Sequence, residues 1–114
     1  MITQFKIFEK LDDGPKIGDY VICEKSNWYP KEMRNFISTN IGTYIKYVSD
    51  INDANYLIAY ENAPDDVAKI PSFSTVFVNN KVLSAIRMHK SQILHFSNKK
   101  EDMKLIINTN KYNL

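Results

Sequence analysis

The sequence predicts a mainly β domain with minor α content, and three observations carry that expectation. From Ile41 to Glu61, β-branched and aromatic residues alternate at period two around a polar turn, the pattern of a pleated, half-buried surface. Short apolar runs recur through the rest of the chain, punctuated by Gly, Pro, Asn and Asp, as strands between turns do. Two stretches, Met33-Phe36-Ile37 and Met103-Ile106-Ile107, read as the apolar stripes of short amphipathic helices. The 114 residues read as one domain, long enough to bury a core without a disulfide or metal.

Taken in order, Thr3 to Glu9 reads as a first strand, with Phe5 and Ile7 on one face and Lys6 and Phe8 on the other. Asp12-Asp13-Gly14-Pro15 ends it, because Gly opens positive φ and Pro removes a donor. Lys16-Ile17-Gly18-Asp19 leads into a strand at Tyr20–Glu24. Pro30 suits the first position of a helix, where its missing N–H is no loss. Met33, Phe36 and Ile37 form one apolar stripe, so a short helix is expected from about Pro30 to Thr39, with Asn40 ending it in the left-handed region.

Gly42 opens the central hairpin. In its first strand Tyr44, Lys46 and Val48 alternate with Ile45 and Tyr47; in its second Tyr56, Ile58 and Tyr60 alternate with Leu57 and Ala59. Ser49 to Asn55 supplies the turn, with two Asp and two Asn. Strict alternation places Tyr44 opposite Tyr47, and Tyr56 on the same face as Tyr60. Asn62 to Asp66 turns the chain, and Val67 to Ser74, containing Pro71, reads as loop. Val76-Phe77-Val78, Asn79-Asn80 and Lys81-Val82-Leu83 suggest a second hairpin. Ala85–Met88 and Ile93–Phe96 are further short runs divided by Lys90-Ser91. Asn98, with Glu101 three residues on, marks a C-terminal helix over about 98–108, striped by Met103, Ile106 and Ile107, with a polar tail after it.

The order of these pieces resembles that of the Src-homology-3-like small β-barrels, including the KOW and Tudor branches. The residues that carry the resemblance are the strand Gly18-Asp19-Tyr20-Val21-Ile22-Cys23, the Gly42-led strand to Val48, the turn, Tyr56-Leu57-Ile58-Ala59-Tyr60-Glu61, and a last strand near Ile93-Leu94-His95-Phe96. The resemblance covers about residues 16–96. It implies a small closed barrel with one inserted helix and one C-terminal helix, and a binding role without a named ligand.

Net charge is only +2, but it is unevenly placed. Asp50, Asp53, Glu61, Asp65 and Asp66 fall in a segment without Lys or Arg, whereas Lys81, Arg87, Lys90, Lys99, Lys100, Lys104 and Lys111 dominate the last third. Abundant Ile, Asn, Lys and Tyr suggest an AT-rich genome, that of a phage or mobile element or that of an AT-rich bacterium. The N-terminal Phe5-Lys6-Ile7-Phe8-Glu9-Lys10 interrupts any signal-peptide core and no run is long enough to span a membrane, so a cytoplasmic protein is expected, in the host cytoplasm if the origin is viral.

Chemistry-bearing motifs are sparse. Cys23, in Tyr20-Val21-Ile22-Cys23, reads as a buried small hydrophobe rather than a nucleophile. His89 and His95 lack the close-spaced partners of a zinc site. Asp12-Asp13 and Asp65-Asp66 abut Gly or Pro and read as turns, and the three glycines form no phosphate loop. The expectation is therefore a non-enzymatic module without cofactor or metal. Its most expected partner is another protein, for a phage protein a host factor or defence component. The candidate contact residues are Trp28, Tyr29, Asp50, Asp53, Tyr56, Tyr60, Asp65 and Asp66. The loop position of Trp28, among Ser26, Asn27, Tyr29 and Pro30, suits a binding anchor. The alternative is a nucleic-acid-binding protein that uses Arg87, Lys90, Lys99, Lys100, Lys104 and Lys111. With only two Arg in the chain, base-specific reading is not expected.

Overall fold

The computed structural model describes residues 14–25, 27–49 and 54–112, and side chains up to residue 109. The strand expected at Thr3–Glu9, the Asp12-Asp13 pair and the turn residues 50–53 lie outside the described residues.

Six strands form one antiparallel sheet: β1 (Tyr20–Cys23), β2 (Gly42–Tyr47), β3 (Tyr56–Tyr60), β4 (Ser74–Val78), β5 (Lys81–Met88) and β6 (Ile93–Ser97). Their order is β4-β5-β3-β2-β1-β6. The protein is thus mainly β, as expected, but the sheet is open, with β4 and β6 as its two edges. Among the described residues the expected closed barrel does not form. Apolar side chains stand on both faces, and each face takes a helix rather than enclosing a barrel interior. No helix among the described residues is long and apolar enough to cross a membrane.

The first helix, α1 (Lys31–Thr39), starts after Pro30 and buries Met33, Phe36 and Ile37, the predicted stripe. It lies on β1, and its stripe joins Val21, Cys23, Tyr44, Ile58, Tyr60, Ile86 and Met88 in one core. Asn40 ends α1 in extended rather than left-handed backbone, at φ −123°. Its side-chain amide reaches back to the Phe36 carbonyl at 2.9 Å, so the helix end is satisfied without a left-handed residue. The stretch read as turn and loop after Glu61 contains a short helix, α2 (Asp65–Ala68), preceded by Pro64, which seats Val67 in the same core.

The central hairpin holds as read, with β2 and β3 paired antiparallel. Gly42 is required where it stands: a Cβ there would meet Ile58 and lie 2.9 Å from the Tyr60 ring. Tyr60 fills that space and meets Phe36 edge-on at 5.3 Å. One feature escapes the period-two reading. Tyr44 faces Ile58 and Lys46 faces Leu57, so the register slips by one residue at Ile45. Such a bulge reverses the side-chain alternation beyond it. Tyr44 and Tyr47 therefore share a face, contrary to strict parity, and both pack on Tyr56, with ring centroids 5.1 and 5.5 Å away.

The second hairpin also forms. Asn79 and Asn80 both have positive φ, 52° and 66°, the requirement of a two-residue type I′ turn, which Asn tolerates. The runs read as separate at Val82-Leu83 and Ala85–Met88 are one continuous β5. A single 3₁₀ turn at Lys90–Gln92 then redirects the chain to the far edge, where β6 pairs with β1. The last helix, α3 (Lys100–Tyr112), begins two residues later and runs further than expected. Its start is held by Ser97 rather than Asn98: the Ser97 hydroxyl accepts the Lys99 N–H at 3.0 Å and donates to Asp102 at 2.6 Å. From there α3 lies against β6 and β1 and buries Met103.

Candidate functional site

The loop between β1 and α1 presents Trp28, which is 91 % exposed. The backbone around it is pinned from several sides. The Arg34 side chain donates to the Tyr29 carbonyl at 3.0 Å and to the Asn27 side chain at 3.4 Å. The Lys25 ammonium sits 4.5 Å over the Tyr29 ring and reaches the Arg87 carbonyl at 3.4 Å. Partial burial pulls the Lys25 pKa below its ordinary value. The Glu24 N–H bonds to the Gln92 carbonyl, tying the loop to the turn before β6. Trp28 borders a hollow lined by Glu24, Arg34, Asn35 and Ser38.

The other residues expected to contact a protein partner do not gather around it. Tyr60 is 1 % exposed and belongs to the core, so its place on a binding face is corrected: the space over Gly42 claims its ring. Tyr56 is half-buried between Tyr44 and Tyr47, which makes it a packing residue of the sheet. Tyr29 is half-buried beneath Lys25. Asp65 and Asp66 are exposed in the first turn of α2, where carboxylates favour a helix start. Asp50 and Asp53 lie outside the described residues.

Cys23 is fully buried, and that burial pushes its thiol from an ordinary 9.0 up to about 12. The neighbouring Tyr60 hydroxyl is also pushed well above its ordinary value, by burial first and by the sulfur second. The two polar heads face each other without a well-formed hydrogen bond. A neutral, enclosed thiol is a poor nucleophile and a poor ligand. His89 and His95 are exposed, and no three metal-ligating side chains come together among the described residues.

The sheet face that carries α3 is built differently. A groove of about 590 Å³ runs between α3 and the β4–β5 hairpin. Its floor holds Ile45, Ala59 and Leu83, and Ile107 lines its helix wall. Lys100 and Lys104 line it from α3, and Lys81 from β5. Lys81 pairs with Glu61 at 3.5 Å, an exposed pair of small energetic weight. Lys100 lies 6.0 Å from the Tyr20 ring, whose face borders the groove. Asn62, Asn79 and Asn108 add amides to the rim.

The basic set expected from sequence is thus divided. Lys100 and Lys104 reach the groove. Lys99 is exposed just before α3. Lys111 lies in the α3 backbone, its side chain outside the described residues. Arg87 lines a separate hollow with Lys25 and His89, and Lys90 stands beside Gly14. Lys81 enters the groove because the Asn79-Asn80 turn and the β3–β5 pairing bring it beside Glu61. That long-range register has no signature in the local sequence.

The chain matches no protein-family model, no curated protein and no solved structure.

Proposed function

We propose that this chain is a non-enzymatic protein-binding module that docks its partner on the Trp28 loop. The carrying observation is the 91 % exposure of a tryptophan on a loop held by Arg34, Lys25 and Glu24. Large aromatic side chains dominate the energetics of protein interfaces. A pinned loop loses little conformational freedom on binding, which favours affinity. The AT-rich residue usage fits a phage or mobile element as well as an AT-rich bacterium. For a phage protein, a host factor or defence protein is the natural partner.

The experiment is capture from host lysate with wild type and Trp28→Ala, followed by affinity measurement on the captured protein. Trp28→Ala weakens binding by about 30-fold or more, the ~2 kcal/mol of an interface hot spot. Thermal stability stays within about 0.5 kcal/mol, since an exposed side chain is removed. A partner held equally well by the variant overturns the reading.

A further inference from the structure

The groove on the opposite sheet face has a chemistry of its own. Three lysines face one glutamate, and Lys81 is the one that Glu61 engages. Lys100 and Lys104 stand four residues apart on α3, one above the other on the same side of the helix. Beneath them the floor is uncharged: Ile45, Ala59 and Leu83, all on strands, with Tyr20 at the side. Asparagine amides stand at the rim. A row of cations beside an apolar floor complements a chain that alternates phosphates with weakly polar rings.

We propose that the groove between α3 and the β4–β5 hairpin binds single-stranded nucleic acid, with Lys100, Lys104 and Lys81 on its phosphates and the Ile45–Leu83 floor under its bases. An acidic peptide would engage the same lysines but leave the apolar floor without a matching surface. A duplex presents its phosphates on a convex surface and keeps its base faces stacked inside, so the floor would be idle there as well. Neither arginine of the chain lines the groove, and bidentate base reading is an arginine function. Binding is therefore tolerant of sequence and dominated by phosphate contacts. The site shares no residue with the hollow at Trp28.

The test is fluorescence anisotropy with a labelled, mixed-sequence single-stranded oligonucleotide, as DNA and as RNA, over a salt series starting near 50 mM. Wild type binds, and log affinity falls against log salt with a slope of about −1.4 to −2.1, two to three phosphates at about −0.7 each. Lys100→Glu with Lys104→Glu weakens binding tenfold or more, and the corresponding Gln pair weakens it less while flattening the slope. Lys31→Glu with Lys69→Glu makes the same charge change on exposed positions away from the groove and leaves affinity within about twofold. Trp28→Ala also leaves it unchanged, which separates this site from the protein-binding one. Circular dichroism and melting confirm that each variant is folded. Absence of binding at the lowest salt overturns the proposal. So does equal loss in the Lys31/Lys69 control, or displacement of the oligonucleotide by a poly-glutamate peptide or a duplex of equal charge as readily as by unlabelled strand.

Discussion

On one face of the sheet, α1 lays Met33, Phe36 and Ile37 onto Val21, Ile58, Tyr60 and Met88, and every one of these side chains is buried. On the other, α3 buries Met103 yet leaves Ile45, Leu83 and Ile107 only half covered. The difference lies in where each helix enters. The α1 helix leaves from the Trp28 loop after β1, lies on that strand and is joined by α2, so the apolar face is closed. The α3 helix leaves the edge strand β6 through the Ser97–Asp102 clasp and covers β6 and β1. The β3–β5–β4 half of its face stays open, so that Lys81 from β5 and Lys100 and Lys104 from α3 stand along the same groove. The same strands thus give one face closed by its helices and one that keeps an open groove.

The sharpest way to break this comparison is to truncate one side chain on each face. Tyr60→Ala empties a large fully buried position and is expected to cost about 3–5 kcal/mol, the range for large core aromatics. Leu83→Ala removes a half-covered groove residue and is expected to cost less than about 1.5 kcal/mol. Urea unfolding of both reads the contrast, and equal losses would show that the groove floor is core after all. Gly42→Ala probes the closed face from the backbone side. The added methyl must displace the Ile58 side chain or the Tyr60 ring, so about 1–3 kcal/mol is expected. A variant as stable as wild type would mean that the Tyr60 ring moves aside at no cost.

Much of the closed face was legible in the residues, and the reasons are local. Met33, Phe36 and Ile37 announce α1 by spacing alone, and Pro30 marks its start. The hairpin strands announce themselves by alternation until Ile45, where the bulge shifts the register by one. No local pattern encodes that slip, so the faces of Tyr44 and Tyr47 were misassigned. The barrel expectation failed for a related reason: strand order depends on which edges meet, and short apolar runs do not say whether β6 returns to β1 beside an open or a closed sheet. The exposure of Trp28 was legible because Asn, Pro and Ser surround it, whereas Tyr60 looked equally available and is core. The groove was half legible. Lys100 and Lys104 follow from the helix pattern, but Lys81 arrives through β-sheet register.

Alkali gives a third test of the closed face. The Cys23 thiol is neutral in the folded protein up to about pH 12, while in the unfolded chain it ionises near its ordinary 9.0. A group raised in this way contributes stability that is complete below the unfolded value and is lost as pH climbs toward the folded one. The Tyr60 hydroxyl, also raised, acts in the same direction. Stability should therefore decline from about pH 9 upward, and Cys23→Ala should make that decline shallower. An unchanged slope in Cys23→Ala would mean that the thiol ionises as easily folded as unfolded. Labelling with a thiol reagent at pH 8 gives the kinetic counterpart: modification of Cys23 should proceed only as fast as the protein opens, and prompt modification would show that the core admits solvent.

The smallest effect concerns the open face and its hairpin wall. Asn79 and Asn80 both hold positive φ, and Asn80, at 66°, occupies the second central position of the turn. Asn-Gly is the preferred pair for this turn because glycine adopts the left-handed region without a Cβ clash. Asn80→Gly relieves that clash but also loosens the unfolded chain, so the two effects oppose each other. Turn geometry wins where φ is already positive, and a gain of about 0.5–1 kcal/mol is expected. The turn sets the position of Lys81 beside Glu61 and of Asn79 at the groove rim. A stabilised turn that leaves oligonucleotide affinity unchanged would show that the wall is already ordered. A loss of stability would show that Asn80 makes contacts worth more than the strain it carries.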